Sequence, residues 1–357
     1  MDACKGLTVR RQSLGQLSLL LLTGALFLSG LFALYLAAAG RFLPHDEHFL
    51  GMTAADLCRL HECRIVHFMV HDRASFGGAL VALSVIYSWV VLAPLGRDEK
   101  WAWWLLLCSG SVGFVSFLAY LGYGYLDTWH GVATLALVPC FAVGLVRSRT
   151  ELQRQVSLKR TLHPFAGAPW KSPAGFGRVC LLGATAGLTV GGLTILLVGA
   201  TCVFVPQDLE YMGVSVADLH RINPRLVALI AHDRAGFGGA VCSCGLAMFL
   251  SVWRGQLTRG LWRTLCVAGF FGFGTAIGVH PAVGYVSATH LAPAVIGAIV
   301  YAIGLALSCP RFLLPRVRRR DWGIAIAPAP EAEVFLELAP SRSRQAVASV
   351  CRSSRQL

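Results

Sequence analysis

The sequence predicts an all-α integral membrane protein with about eight transmembrane helices, built as two tandem four-helix repeats. Hydrophobic residues make up 55% of the 357 residues and charged residues only 14%, whereas soluble domains carry about 25% charge. Eight apolar runs approach or exceed the roughly 20 residues that a helix needs to cross a bilayer. The two halves of the chain also carry the same motifs in the same order. Together these observations predict the fold class.

The apolar runs define the predicted spans and, with the charge pattern, the predicted domains. The spans lie at about 17–39, 66–93, 102–122, 126–146, 178–204, 226–252, 262–282 and 285–308. The first span is expected to be retained, because its length exceeds that of a signal-peptide core and a matching span opens the second half. The predicted domains are an N-terminus (1–16), a first membrane repeat (17–146), a basic linker (147–177), a second membrane repeat (178–308) and a basic, disordered tail (309–357).

The distribution of charge predicts the orientation. The net charge of +13 is concentrated at the start, in the linker and in the tail, whereas segments 41–66 and 205–225 contain more acids than arginines. Positive charge marks cytoplasmic loops, so both termini and the linker are predicted to be cytoplasmic. This pattern indicates a multi-pass protein whose partner is the lipid bilayer and not nucleic acid. The membrane is expected to be a bacterial inner membrane. The basic linker and tail are also expected to contact anionic lipid.

The internal repeat rests on matched motifs. Residues 71–79 (HDRASFGGA) match residues 232–240 (HDRAGFGGA) at eight of nine positions. Phe42-Leu43-Pro44-His45-Asp46 aligns with Phe204-Val205-Pro206-Gln207-Asp208, and Gly124-Tyr125 with His130 aligns with Gly284-Tyr285 with His290. Four spans per copy give both copies the same orientation, so the halves are predicted to be related by a pseudo-two-fold axis along the membrane normal.

The HDRxxFGGA motif places ionisable residues near the outer ends of the second and sixth spans. Such residues are costly in a membrane and mark functional sites by default, although ion pairs that only hold helices together are an equally good interpretation. The supporting polar residues of the candidate site are Asp46, Arg64, Asp72, Arg73, Asp208, Arg225, Asp233 and Arg234. Small residues allow close helix packing, which is the predicted role of Gly77, Gly78, Gly238 and Gly239.

The matched histidines are the candidate ligands. Each repeat brings two to the outer face: His71 with His130, and His232 with His290. Neutral imidazole binds iron, copper and zinc. Five further histidines, His45, His48, His61, His67 and His280, have no match in the other repeat and are therefore not assigned to the site.

Two features of the outer segments complete the pattern. Thr53 and Ser215 are each followed three residues later by an aspartate, Asp56 or Asp218, which predicts a short capped helix in each repeat. Cys58 and Cys63 are able to form a disulfide on an oxidising face, and whether they do so is left open.

No known catalytic signature is present, so the sequence names no reaction and does not decide whether the protein is an enzyme. The leading hypothesis is a membrane redox or metal-binding module that holds haem or a transition metal on paired histidines. One alternative is a proton- or cation-coupled transporter with two equivalent halves, although its shared polar residues lie near one face and not at the midplane. The other alternative is a non-catalytic membrane scaffold.

Overall fold

The computed structural model describes residues 13–118, 124–125, 128–151 and 169–309, with the side chains of 128–130, 150 and 151 outside the description. All the regular secondary structure of these residues is helical, and none of them forms a strand. The first half contains α1 (Leu14–Ala39), α2 (Pro44–Leu50), α3 (Ala54–Cys58), α4 (Arg64–Leu92), α5 (Lys100–Ser116) and α6 (Thr128–Glu151). The second half contains α7 (Pro173–Ala200), α8 (Pro206–Met212), α9 (Val216–Ile222), α10 (Leu226–Arg254), α11 (Arg259–Val283) and α12 (Ala288–Leu307).

Within the described part of the chain, seven helical segments are long and apolar enough to cross a membrane. They are Leu14–Ala39, His61–Arg97, Gly131–Arg149, Pro173–Ala200, Leu226–Arg254, Arg259–Val283 and Ala288–Leu307. The protein therefore has the character of a multi-pass membrane protein. The predicted span at 102–122 corresponds to α5, which has 17 residues and is short for a crossing. Residues 119–122 of that predicted span lie outside the described residues.

Helices α4 and α10 form the centre of the bundle. Of the apolar window in each helix, 67% is buried in α4 and 78% in α10, whereas no other span exceeds 28%. The surrounding helices keep large apolar side chains on their outer faces, including Leu28 and Phe270. Since such residues are stable in contact with lipid, the burial pattern separates a protein-lined centre from a lipid-facing shell.

The packing order of the helices crosses between the halves of the chain. Helix α4 packs against α1, α10 and α11, and α10 packs against α7, α4 and α5. The ring is closed by contacts of α6 with α1 and α5 and of α12 with α7 and α11. Helices α5 and α11 therefore pack mainly on the central helix of the other half, an arrangement that hydropathy does not reveal.

Glycines permit the closest approaches to the central helices. A Cβ at Gly77 would lie 2.9 Å from the backbone oxygen of Gly30 on α1, and a Cβ at Gly238 would meet the backbone of Leu196 on α7. The neighbouring glycines face the other way: a Cβ at Gly78 would meet Thr275 on α11, and one at Gly239 would meet Ser116 on α5. The structure thus places all four predicted packing glycines at helix contacts.

The two predicted capped helices are confirmed as α3 and α9. Thr53 caps α3 and Ser215 caps α9, each in a reciprocal capping box with the aspartate three residues later. Hydrogen bonds from the Thr53 hydroxyl and backbone N–H lower the pKa of the Asp56 carboxyl. Cys58, the last residue of α3, forms a disulfide with Cys63, which directly precedes α4. Most of the predicted N-terminus, of the tail and of the basic linker lies outside the described residues.

Candidate functional site

Two short helices position one aspartate each beside the central helices. Prolines Pro44 and Pro206 begin α2 and α8, where a missing N–H costs nothing. Two residues further on, Asp46 and Asp208 accept hydrogen bonds from the backbone N–H of Leu43 and Val205, at 3.2 and 2.8 Å. Both carboxylates are buried, and this capping geometry fixes one oxygen of each.

In the first network, Arg73 joins the halves of the chain. Its Nη2 donates to Asp46 Oδ2 at 2.7 Å, and its Nε donates to Asp233 Oδ2 on α10 at 2.9 Å. Tyr125 donates its hydroxyl to the other oxygen of Asp46 at 2.5 Å. All the charged groups of this network are at least nine-tenths buried. Because buried charges are stable only when paired, the network fixes α2 and α4 against α10.

The second network repeats most of these contacts with the equivalent residues. Arg234 Nη1 donates to Asp208 Oδ2 at 2.6 Å, and Tyr285 donates its hydroxyl to Asp208 Oδ1 at 2.8 Å. Burial and the neighbouring Asp208 carboxylate raise the pKa of Tyr285, so the phenol stays protonated and remains a donor. One difference is clear: among the described residues, Oδ2 of the buried Asp72 has no hydrogen-bond partner.

Three histidines meet beside the second network. One imidazole nitrogen from each of His71, His280 and His290 lies within 4.8 Å of the others. The ring centroids of His71 and His280 are 4.4 Å apart, and that of His290 lies 5.9 Å from His71 and 5.6 Å from His280. The His71 and His280 residues are only 3% and 4% exposed. Helices α4, α11 and α12 therefore converge on one buried cluster.

Each imidazole of this cluster has an oxygen beside Nδ1. His71 Nδ1 lies 3.0 Å from Asp72 Oδ1, His280 Nδ1 lies 2.7 Å from the Ala276 carbonyl oxygen, and His290 Nδ1 lies 3.2 Å from the Tyr285 hydroxyl. A carbonyl or carboxylate oxygen only accepts, so Nδ1 of His71 and His280 carries the proton in the neutral ring. The Tyr285 hydroxyl donates to Asp208, and its oxygen can accept from His290. These bonds leave Nε2 as the nitrogen with the free lone pair.

The charge around the cluster favours a cation. Two buried carboxylates, Asp72 and Asp208, lie beside the cluster with one guanidinium group, that of Arg234. Asp72 touches His71 directly, and Asp208 reaches His290 through Tyr285. Since the imidazoles are neutral when they bind a metal, the surroundings carry a net negative charge that a bound cation would offset.

The predicted histidines are distributed differently from their predicted pairs. His290 was paired in the sequence with His232, but its imidazole neighbours in the structure are His71 and His280. His232 lies against Tyr125, with ring centroids 4.9 Å apart, and its Nδ1 lies 3.1 Å from Asp233 Oδ1. The side chain of His130 lies outside the described residues, so its predicted pairing with His71 is untested.

The structure places two of the predicted supporting residues away from the cluster. Arg64 bonds Glu62 at the surface, and Arg225 donates to the Phe49 carbonyl oxygen at 2.7 Å. Two residues of the site were not assigned to it from the sequence. His280 was set aside because it has no match in the first repeat, and Tyr285 was recognised only as part of a motif. The position of His280 in the last turn of α11, ten residues before His290, was the available signal.

Comparison with known proteins adds no relative: no family model, no curated protein and no solved structure matches this chain.

Proposed function

We propose that this multi-pass membrane protein binds a transition-metal ion between His71, His280 and His290. The observation that carries the proposal is the set of oxygen atoms beside the three Nδ1 atoms. Metal-binding histidines commonly donate their second N–H to a carboxylate or carbonyl, which orients the ring and increases its basicity. Asp72, the Ala276 carbonyl and Tyr285 are placed for this role.

The arrangement supports a bare ion better than haem. Three imidazole rings converge on one point, and the macrocycle of a haem would have to lie between its axial ligands. Zinc binds histidine nitrogen at about 2.0–2.1 Å, so nitrogens around a tetrahedral ion lie about 3.4 Å apart. Nitrogens within 4.8 Å reach this spacing by small side-chain rotations. Three protein ligands would leave a fourth position open, as in catalytic zinc sites; copper, nickel, cobalt and iron are the other candidates.

We also propose that the bundle is two four-helix repeats related by a pseudo-two-fold axis along the membrane normal. Support comes from the matched packing of α4 and α10: α4 contacts α11 and α10 contacts α5, the fifth helix of the other half in each case. The paired Asp46–Arg73–Tyr125 and Asp208–Arg234–Tyr285 contacts agree with this axis. The first repeat has no histidine equivalent to His280, so the metal site has no symmetric counterpart across this axis.

The proposed orientation places the metal site near the outer face of a bacterial inner membrane, with both termini in the cytoplasm. The disulfide between Cys58 and Cys63 supports this orientation, because disulfides persist on oxidising faces. The basic linker would then lie at the anionic inner leaflet.

The test is the metal content of the purified full chain. The protein is equilibrated separately with Zn²⁺, Cu²⁺, Co²⁺ and Ni²⁺, freed of excess ion, and analysed by mass spectrometry for metal per chain. We expect about one ion per chain for at least one metal, and loss of that ion in His71→Ala, His280→Ala and His290→Ala. His220→Ala is the matched control, because His220 is exposed and far from the cluster in sequence. A wild-type chain that retains no metal, or equal retention in all four variants, would end the proposal.

A further inference from the structure

A cavity of about 460 Å³ lies between α1, α4, α5, α6 and α10. None of the three clustered histidines lines it, so it is separate from the proposed metal site. Its volume falls within the range of small-molecule pockets. Most of its lining is apolar, and it includes aromatic residues such as Phe76 and Phe114.

The cavity runs along α1 and is lined by residues of both α1 and α6. Near one end they touch: a Cβ at Gly15 would lie 2.8 Å from Ser148, and one at Gly144 would lie 2.6 Å from Leu19. From Leu22 onward, one face of α1 lines the cavity through Leu22, Leu26, Ser29, Ala33 and Leu36. With a rise of 1.5 Å per residue, this face is about 21 Å long. A lipid chain in one leaflet occupies about 15 Å, so the cavity accommodates such a chain.

One end of the cavity is strongly polar. Asp46, Arg73, His232 and Asp233 line it there, and each side chain is at least nine-tenths buried. At the other end, Tyr87 and Ser243 also line the cavity, but their hydroxyls bond Ser109 at 2.7 Å. The cavity is therefore amphipathic, with hydrogen-bonding groups concentrated beside the short helix α2.

We propose that this cavity binds a membrane lipid with one long apolar chain and an uncharged head that carries a hydroxyl or carbonyl oxygen. Two carboxylates face one guanidinium group at the polar end, so an anionic phosphate head would be repelled. A cationic head would compete with Arg73 for both of its carboxylates. An uncharged oxygen accepts a hydrogen bond from an N–H of Arg73 without either cost. Isoprenoid quinones and long-chain alcohols share this chemistry.

The experiment uses the full chain in detergent and measures saturable binding of tritiated 1-tetradecanol. Decylubiquinone and an anionic lysophosphatidylglycerol are the two competitors. We expect about one site per chain, displacement by decylubiquinone and no displacement by the lysophospholipid. Whichever neutral probe binds more tightly identifies the head as hydroxyl or carbonyl. Equal displacement by the lysophospholipid, or binding that does not saturate, would overturn the proposal.

Two tryptophan variants of α1 locate the binding site. Ala33→Trp fills the cavity, and we expect it to weaken binding about tenfold or more, equivalent to at least about 1.4 kcal/mol. Leu28→Trp is the matched control, because Leu28 is 67% exposed and does not line the cavity. Gly113→Val provides a second filling variant on α5, where a Cβ would make only ordinary contact with Ser243 at 3.5 Å. Unchanged binding in both filling variants would contradict the proposal, and their metal content reports separately on folding and on the metal site.

Discussion

Arg73 on α4 donates from Nε to Oδ2 of Asp233 on α10 at 2.9 Å, while its Nη2 holds Asp46 on α2 at 2.7 Å. The two central helices are thus joined by a buried ion pair that links residues 160 positions apart in sequence. The equivalent residues of the other network, Arg234 and Asp72, make no such hydrogen bond among the described contacts, although Asp72 contacts His71 just as Asp233 contacts His232. The two networks therefore differ at the position where the histidine cluster begins.

The buried pair predicts strong and non-additive effects on stability. Asp233→Asn should lower the free energy of unfolding by about 3–5 kcal/mol, because it replaces one charged partner of a buried guanidinium with a neutral group. The double variant Arg73→Met/Asp233→Leu should cost less than the sum of its single changes, since residues in contact couple. Unfolding in mixed detergent measures these differences. Arg221→Ala, which removes an exposed pair with Asp218, should leave stability nearly unchanged; a similar loss there would refute the assignment.

Glycine substitutions test the close packing of the central helices. Gly238→Ala should destabilise the bundle by about 1–3 kcal/mol, the cost of overpacking, because its Cβ meets the backbone of Leu196. Gly78→Ala should cost less, since the side chain of Thr275 can rotate away. Gly183 is the matched control: it lies in α7 with open space at its Cβ, so Gly183→Ala should be neutral or stabilising by about 0.5–1 kcal/mol. Equal melting temperatures for all three variants would exclude this packing.

Hydropathy and the motif matches predicted much of the helix pattern, because an apolar run of sufficient length has few alternatives to a helix in a membrane. Seven of the predicted spans correspond to long apolar helices, and the capping boxes located α3 and α9. Neighbouring helices were not predictable. A residue's direction on its own helix does not say which helix it meets, and α5 and α11 pack on the opposite central helix.

That crossing explains the difference in the site. His290 follows α11 and lies next to α4, so its partner is His71 and not His232. Comparison of the two repeats also retained only residues that occur in both, and it excluded His280 because the first repeat lacks an equivalent histidine. Such a comparison cannot identify a site that is present only once. The buried aspartates and arginines were identified, but their pairing depended on tertiary contacts such as Arg73 with Asp233.

Substitution of Asp72 tests whether the hydrogen-bond partners of the histidines support metal binding. Asp72→Asn removes the carboxylate that orients His71 while leaving all three imidazoles in place. Loss of such a partner lowers metal affinity by about 10–100-fold, so we expect binding to weaken without being abolished. Competition with a chelator of known affinity measures the change. Asp56→Asn, on the exposed helix α3, is the control and should keep wild-type affinity. An unchanged affinity in Asp72→Asn would show that Asp72 does not support a metal ligand.

The orientation is tested by labelling single cysteines in intact cells. Cysteines introduced near residues 50 and 213, in a background without accessible thiols, should react with an impermeant maleimide from outside. Cysteines near 160 and 335 should react only after the cells are opened, because basic segments remain in the cytoplasm. External labelling at 160 would reverse the orientation and place the histidine cluster near the inner face.

X-ray absorption of the metal-loaded, full-length protein tests the metal site most directly, because its fine structure counts the ligands and identifies their elements. With zinc bound, the site predicts three imidazole nitrogens at about 2.0–2.1 Å, a fourth light ligand and no sulfur. His280→Ala should remove one imidazole from the count or prevent loading, whereas His220→Ala should leave the spectrum unchanged. A first shell that contains sulfur, or one with three imidazoles that persist in His280→Ala, would contradict a site built from His71, His280 and His290.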